Sequence, residues 1–290
     1  MSEKEEVKNM YFDKLAEDLF IDANEEISYP PVAISLGEAM TNTPQGKVSY
    51  PVPIGTYGNF SFVQAPPKSK KTFFISLLGS VFLSGQNNFG GNIKGHRTDE
   101  CLVHFDTEQG RFHAQKVFRR VLDMNEGQDS GCYHTFGLRT LGYKERIDFI
   151  EYYLYNKLEK KCGVVIIDGI ADLVSDVNNL EESNAVVQKI MKWSAELNCH
   201  IITVIHSNFG SDKPTGHLGS FLEKKTETQI QLEVNTVNKE LVTVSCKRSR
   251  GFPFETFSFK VNSHGLPEVE GDLFDVLEGT NFKKVKYENN

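Results

Sequence analysis

The chain has 290 residues, 32 Lys and Arg against 39 Asp and Glu for a formal charge of −7, and 39% hydrophobic residues with 21 Phe. That balance excludes a disordered chain and a uniformly basic nucleic-acid coat, while leaving room for a local basic channel. Cys101, Cys132, Cys162, Cys199 and Cys246 are scattered with no C-x-x-C pair, which argues against a zinc knuckle or disulfide framework and for reduced, mostly buried thiols.

In chain order, residues 4–21 read as a short amphipathic helix with Val7, Met10, Tyr11, Leu15 and Leu19 on one side, suited to docking on the main domain or a neighbour. Its first residues are charged and lack a leader-peptide core, and no apolar run approaches membrane-spanning length. The expectation is a cytoplasmic protein with no membrane partner. Pro30-Pro31 ends the helical pattern. Val32–Leu36 and Tyr50–Ile54 bracket a polar stretch and read as the strands of a small hairpin.

Phe60–Val63 alternates like a short strand. From Phe73 to Phe82 the apolar residues fall on a helical period that stops at Gly85. Residues 86–100 are a polar connection. Cys101–Asp106 is the next strand, followed by Thr107-Glu108-Gln109-Gly110. A helix over 112–124 leaves Arg111, Lys116, Arg119 and Arg120 exposed. A weak strand signal lies at Tyr133–Phe136, and a helix runs over 143–161 with Ile147, Ile150, Tyr153, Leu154 and Leu158 inward.

Gly163–Asp168 is a continuous apolar run ending in a carboxylate, as a buried central parallel strand reads. A helix over 184–197 carries Trp193. A second buried strand, His200–His206, leads into a glycine-containing loop over 207–217. From Thr228 the pattern becomes alternating strands, at 229–234, 241–247 and 254–261. The fold class expected is therefore α/β: strand–helix units forming a mostly parallel sheet, with an antiparallel C-terminal extension. The expected domains are an N-terminal helix and leading segment (1–45), a strand–helix core (46–272) and a tail (273–290).

Between the strand at 60–63 and the helix after it lies Ala65-Pro66-Pro67-Lys68-Ser69-Lys70-Lys71-Thr72. Strand, loop, Lys-Thr, helix is the layout of a phosphate-binding P-loop, G-x-x-x-x-G-K-(S/T). Ala65 and Lys70 stand where its glycines belong, so from these residues alone the stretch is equally a basic surface turn. If it is a P-loop, residues 67–73 (Pro67, Lys68, Ser69, Lys70, Lys71, Thr72 and Phe73) cradle the phosphates of ATP.

Ligands of parallel α/β sheets bind at the carboxyl ends of strands, and three further strands end in suitable groups. Singly, Asp168 is a cap, Glu108 a solvated loop residue and His206 a buried histidine. Together they assign roles: Thr72 and Asp168 hold Mg²⁺, Lys71 neutralises the terminal phosphates, and Glu108 orients the attacking water. His206 would sense the γ-phosphate and pass its presence to the loop at 207–217. Lys247-Arg248-Ser249-Arg250 is a solvated basic turn or a set of fingers, Lys247 and Arg250 among them, reaching a neighbour's nucleotide.

The ordered set resembles the RecA-like P-loop ATPases, and within them the RepA-type hexameric replicative helicases of plasmids. The likeness spans residues about 50–270 and includes Cys246-Lys-Arg-Ser-Arg-Gly-Phe-Pro-Phe254, which is similar to that family's Ser/Lys…Gly-x-Pro-Phe segment. The resemblance implies a RecA-like core, a homo-oligomer with its active site between subunits, a hexameric ring, and loops facing single-stranded DNA. By match it gives roles to Lys71, Thr72, Glu108, Asp168, His206 and Lys247, with Arg248 and Arg250 following. The implied function is a helicase or loader in replication of a mobile element. The rivals are a filament-forming recombination mediator and a nucleotide-binding scaffold.

Overall fold

The structure is a computed structural model and describes residues 3–43, 46–127, 131–208 and 211–270. The chain divides into two compact units, Met1–Pro30 and Pro31–Asn290. The first contains helix α1 (Glu3–Leu19), where the sequence pattern puts it, with Val7, Met10, Tyr11 and Leu19 exposed. The tail expected over 273–290 lies outside the described residues.

The second unit opens with a hairpin, β1 (Val32–Thr43) and β2 (Gly46–Thr56), longer than the sequence suggests because the polar stretch between its apolar halves is also paired. Then come β3 (Phe60–Ala65), α2 (Lys71–Ser84), β4 (Ile93–Gly95), β5 (Cys101–Asp106), α3 (Arg111–Asp123), β6 (Tyr133–Gly137), α4 (Tyr143–Asn156) and β7 (Cys162–Asp168). They are followed by α5 (Leu180–Glu196), β8 (His200–His206), α6 (Gly216–Lys225), β9 (Thr228–Val234), β10 (Val242–Ser249), β11 (Phe257–Val261) and β12 (Pro267–Val269).

Among the described residues nine strands form one sheet in the order β12-β11-β10-β9-β3-β8-β7-β5-β6. From β9 to β6 every pairing is parallel, whereas β10, β11 and β12 extend the sheet antiparallel. A parallel strand needs a crossover that covers the sheet, so its side chains are buried on both faces. Accordingly all of Cys162–Asp168 is buried. One apolar layer joins α2 to the hairpin and the C-terminal strands through Phe74, Leu78, Phe82 and Phe259. The other joins α4, α5 and α6 through Ile150, Leu154, Val187, Trp193, Leu218 and Leu222.

Several elements depart from the sequence reading: β4 lies within the stretch read as a polar connection, β12 has no counterpart there, and β11 begins at Phe257 rather than 254. α4 stops at Asn156, where the chain turns toward β7. α5 starts a turn early because the Asn179 side chain accepts the Glu182 amide, capping the helix. α6 replaces part of the expected loop. Gly216 and Gly219 disguise it, yet Gly219 is needed there, since a Cβ would fall 2.6 Å from the Pro214 backbone.

Candidate active site

Register aligns the carboxyl ends of the central strands. Ala65 of β3 is paired with His206 of β8, and Asp106 of β5 with Asp168 of β7. The loop after β3, the tip of β8, Asp168 and the turn after β5 therefore sit side by side, where parallel α/β sheets bind ligands.

The loop between β3 and α2 enters the helix through two residues at positive φ, the second at the position where the P-loop pattern has glycine. Lys70 takes the left-handed conformation, φ 61 and ψ 28, immediately before the helix, and Lys68 has φ 64. A non-glycine residue gives up roughly 1–2 kcal/mol in that region. The Lys70 side chain leaves the loop, and its Nζ donates to the Glu240 carbonyl at 2.8 Å in the β9–β10 turn. The lysine in the glycine position thus accepts the required backbone angle and clears the space above it. Ser69 Oγ donates to the Pro66 carbonyl, closing the turn.

Lys71 is buried, and its ammonium donates to the Ala65 and Pro66 carbonyls at 3.2 and 2.9 Å. It also lies 3.0 Å from His206 Nδ1. Because an ammonium can only donate, that nitrogen accepts, and Nε2 of His206 carries the proton toward Glu108, whose Oε1 is 3.5 Å away. The hydrogen bond from His206, against the opposing effect of burial and with the Lys71 ammonium nearby, holds the Glu108 carboxyl below its ordinary range. Burial draws the Lys71 pKa down, opposed by Glu108 and Asp168.

Asp168 has the opposite problem. Burial, then the Asp106 and Glu108 carboxylates, push its pKa up to about 7 against the smaller help of Lys71 and the Thr72 hydroxyl. Its Oδ2 is buried and has no hydrogen-bond partner among the described residues. An orphaned carboxylate oxygen beside a Thr hydroxyl at a helix start fits a hard divalent cation, and Thr72 with Asp168 are the residues that would hold one. Asp106 shapes the neighbouring turn: its Oδ1 accepts the Glu108 and Gln109 amides at 3.1 and 2.7 Å, fixing where Glu108 points.

Lys71, Glu108, Asp168 and His206 line a cleft of about 370 Å³ together with Lys68, Ser69, Lys70, Thr72, Phe73, Gln109, His113, Lys116, Val117 and Arg120. Pro67 is in the loop but not in the wall. The structure thus gathers Lys71, Thr72, Glu108, Asp168 and His206 within one chain. Lys247 and Arg250 are elsewhere: Lys247 Nζ is 3.3 Å from Asp212, and the Arg250 guanidinium donates to the Lys225 carbonyl at 2.8 Å. Arg120, read from sequence as exposed, is half-buried and belongs to the cleft. Its spacing from His113, Lys116 and Val117 is the signal that could have found it.

Residues 43–212 match the family described as AAA domain. No curated protein matches the chain in sequence. Among solved structures, one described as an ATPase domain superposes with a TM-score of 0.51 at 15% identity, covering 70% of this chain and 81% of that one. Another, described as the RadB recombinase, gives 0.50 at 16% identity over 72% and 90%. Both likenesses concern the fold, which is the RecA-like P-loop arrangement expected from the order of motifs. On the family match and this fold together, the chain belongs to the AAA domain family and has a RecA-like P-loop ATPase core.

Proposed function

We propose that the cleft binds Mg-ATP and hydrolyses it, and that turnover drives action on single-stranded DNA, as a helicase or loader in replication of a mobile element. The observation that carries this reading is the Lys71–His206–Glu108 chain lying beside the unpartnered oxygen of Asp168. Glu108 stays ionised at neutral pH and is available to orient a water and accept its proton. Lys71 would exchange its carbonyl contacts for the terminal phosphates. Held by Thr72 and Asp168, Mg²⁺ would supply charge neutralisation on those phosphates.

His206 is joined to the following loop because its carbonyl accepts both the amide and the hydroxyl of Thr215, at 3.1 and 2.8 Å. Through this backbone tie a change at its ring would reach the segment we assign to DNA. Lys247 and Arg250 would act on a nucleotide held by a second copy in a homo-oligomer, a hexameric ring in this reading. Residues 46–272 would constitute the ATPase domain.

The test is steady-state ATP hydrolysis with and without single-stranded DNA, wild type beside Glu108→Gln. Turnover stimulated by DNA and lost in the variant is expected. Turnover indifferent to DNA would remove the motor, and bound ATP without turnover would leave a nucleotide-gated scaffold. A recombination mediator is the second reading, on the likeness to the RadB recombinase structure. Electron microscopy separates the two, closed rings against filaments.

A further inference from the structure

α3 turns His113, Lys116 and Arg120 toward the cleft, on one helical face. Arg120 differs from its basic neighbours. Arg119 points outward and pairs with Asp123 at 3.0 Å. Arg120 is half-buried, with its guanidinium carbon 3.8 Å from the Phe73 ring centroid and Nη1 3.1 Å from Ser76 Oγ. Among the described residues no carboxylate pairs with it, and burial alone acts on its pKa, drawing it down.

A guanidinium has five N–H donors, and among the described residues Ser76 engages one of them. A partly desolvated cation with no counter-charge is costly unless an anion is supplied. Among the described residues of the cleft, none supplies it. The stack on Phe73, the residue after Thr72 in the first turn of α2, holds the guanidinium beside the phosphate loop rather than free in solvent.

We propose that Arg120 is a phosphate-binding residue acting within its own chain, its free N–H groups donating to the phosphate oxygens of the bound nucleotide from the α3 wall. This rests on the reading of the cleft as a nucleotide site. It makes one arginine contact independent of any neighbouring subunit, so that a single chain already grips the polyphosphate from two walls.

The experiment is competition against a fluorescent ATP analogue, with ATP and with inorganic tripolyphosphate as probes, for wild type, Arg120→Met and Arg120→Gln. Methionine keeps the apolar contact with Phe73, and glutamine keeps a donor for Ser76, so either variant serves if the other fails to fold. Expected is a loss of about tenfold or more for both probes, the scale of charge-assisted hydrogen bonds. The unliganded variants should melt no lower than wild type, because an uncompensated charge has been removed.

Affinity for both probes unchanged in the folded variants would overturn the proposal. So would a loss for ATP alone, which would move Arg120 to the base. Folded wild type that binds neither probe would overturn the nucleotide site itself, and this inference with it.

Discussion

At the start of β8, His200 is fully buried, with Nδ1 2.9 Å from the Thr56 carbonyl, Nε2 2.9 Å from Ser61 Oγ and Glu227 at 3.8 Å. At the other end of the same strand, His206 is 41% exposed and faces Glu108 and Lys71. Both are histidine–glutamate pairs, yet their surroundings give them different work. Both Glu227 oxygens are taken, by the Thr56 amide at 2.9 Å and its hydroxyl at 2.6 Å. Burial keeps His200 neutral by drawing its pKa down. Buried and held on both sides, this pair is out of reach of a ligand and is a brace among β2, β3, β8 and the start of β9. The pair at the open end keeps its capacity unspent and faces the cleft.

The comparison breaks most sharply if chemistry fails to follow the open end. Glu108→Gln should lower ATP turnover by about 10²–10⁴-fold with an unchanged unfolding midpoint, measured by steady-state hydrolysis and thermal denaturation. At the closed end, Glu227→Ala should lower stability by about 2–4 kcal/mol in denaturant titration, with ATP affinity retained in the folded fraction. Gly55→Ala should do the same, since its Cβ would fall 2.1 Å from the His200 ring. Equal effects of Glu108 and Glu227 changes on turnover and on stability would erase the distinction.

Asp168 sharpens it through pH. Its folded pKa is raised from the ordinary carboxylate range to about 7, so in that window the native state binds more protons than the unfolded one. Unliganded stability should therefore fall as pH rises from about 4 through 7, and Mg²⁺ should restore it above pH 7. Asp168→Asn should flatten that decline, raise the unliganded melting temperature and abolish Mg²⁺-dependent turnover. A melting curve for Asp168→Asn with the wild-type pH dependence would sink the account. The smallest effect belongs to Lys70→Gly: relief of φ 61 against loss of the Glu240 contact should leave stability within about 1 kcal/mol of wild type.

Much of the open end was legible because its residues terminate apolar runs. Asp168 ends Gly163–Ile167, His206 ends His200–Ile205, and Lys71-Thr72 opens a helix whose period is unambiguous. The sheet followed from the same runs and their alternation with helices. The closed end was not legible, since Thr56, Ser61, His200 and Glu227 are brought together by topology and no local pattern links them. Arg120 was overlooked differently: its spacing from His113, Lys116 and Val117 puts it on the cleft face of α3, whereas Arg119 beside it points outward to Asp123. α6 was obscured by glycines that sequence reads as breakers and tertiary contact with Pro214 requires.

Lys68 and Lys70, both at positive φ, bear on how such loops are recognised at all. A motif written in letters records which residue most cheaply supplies a dihedral angle, and the angle is what the anion encounters. Once a side chain has somewhere to go, as Lys70 has at Glu240, the letter is free to drift while the shape persists. Relatives of this chain are then better sought by the torsions of the loop and the partner of its departing side chain than by a glycine at a fixed place.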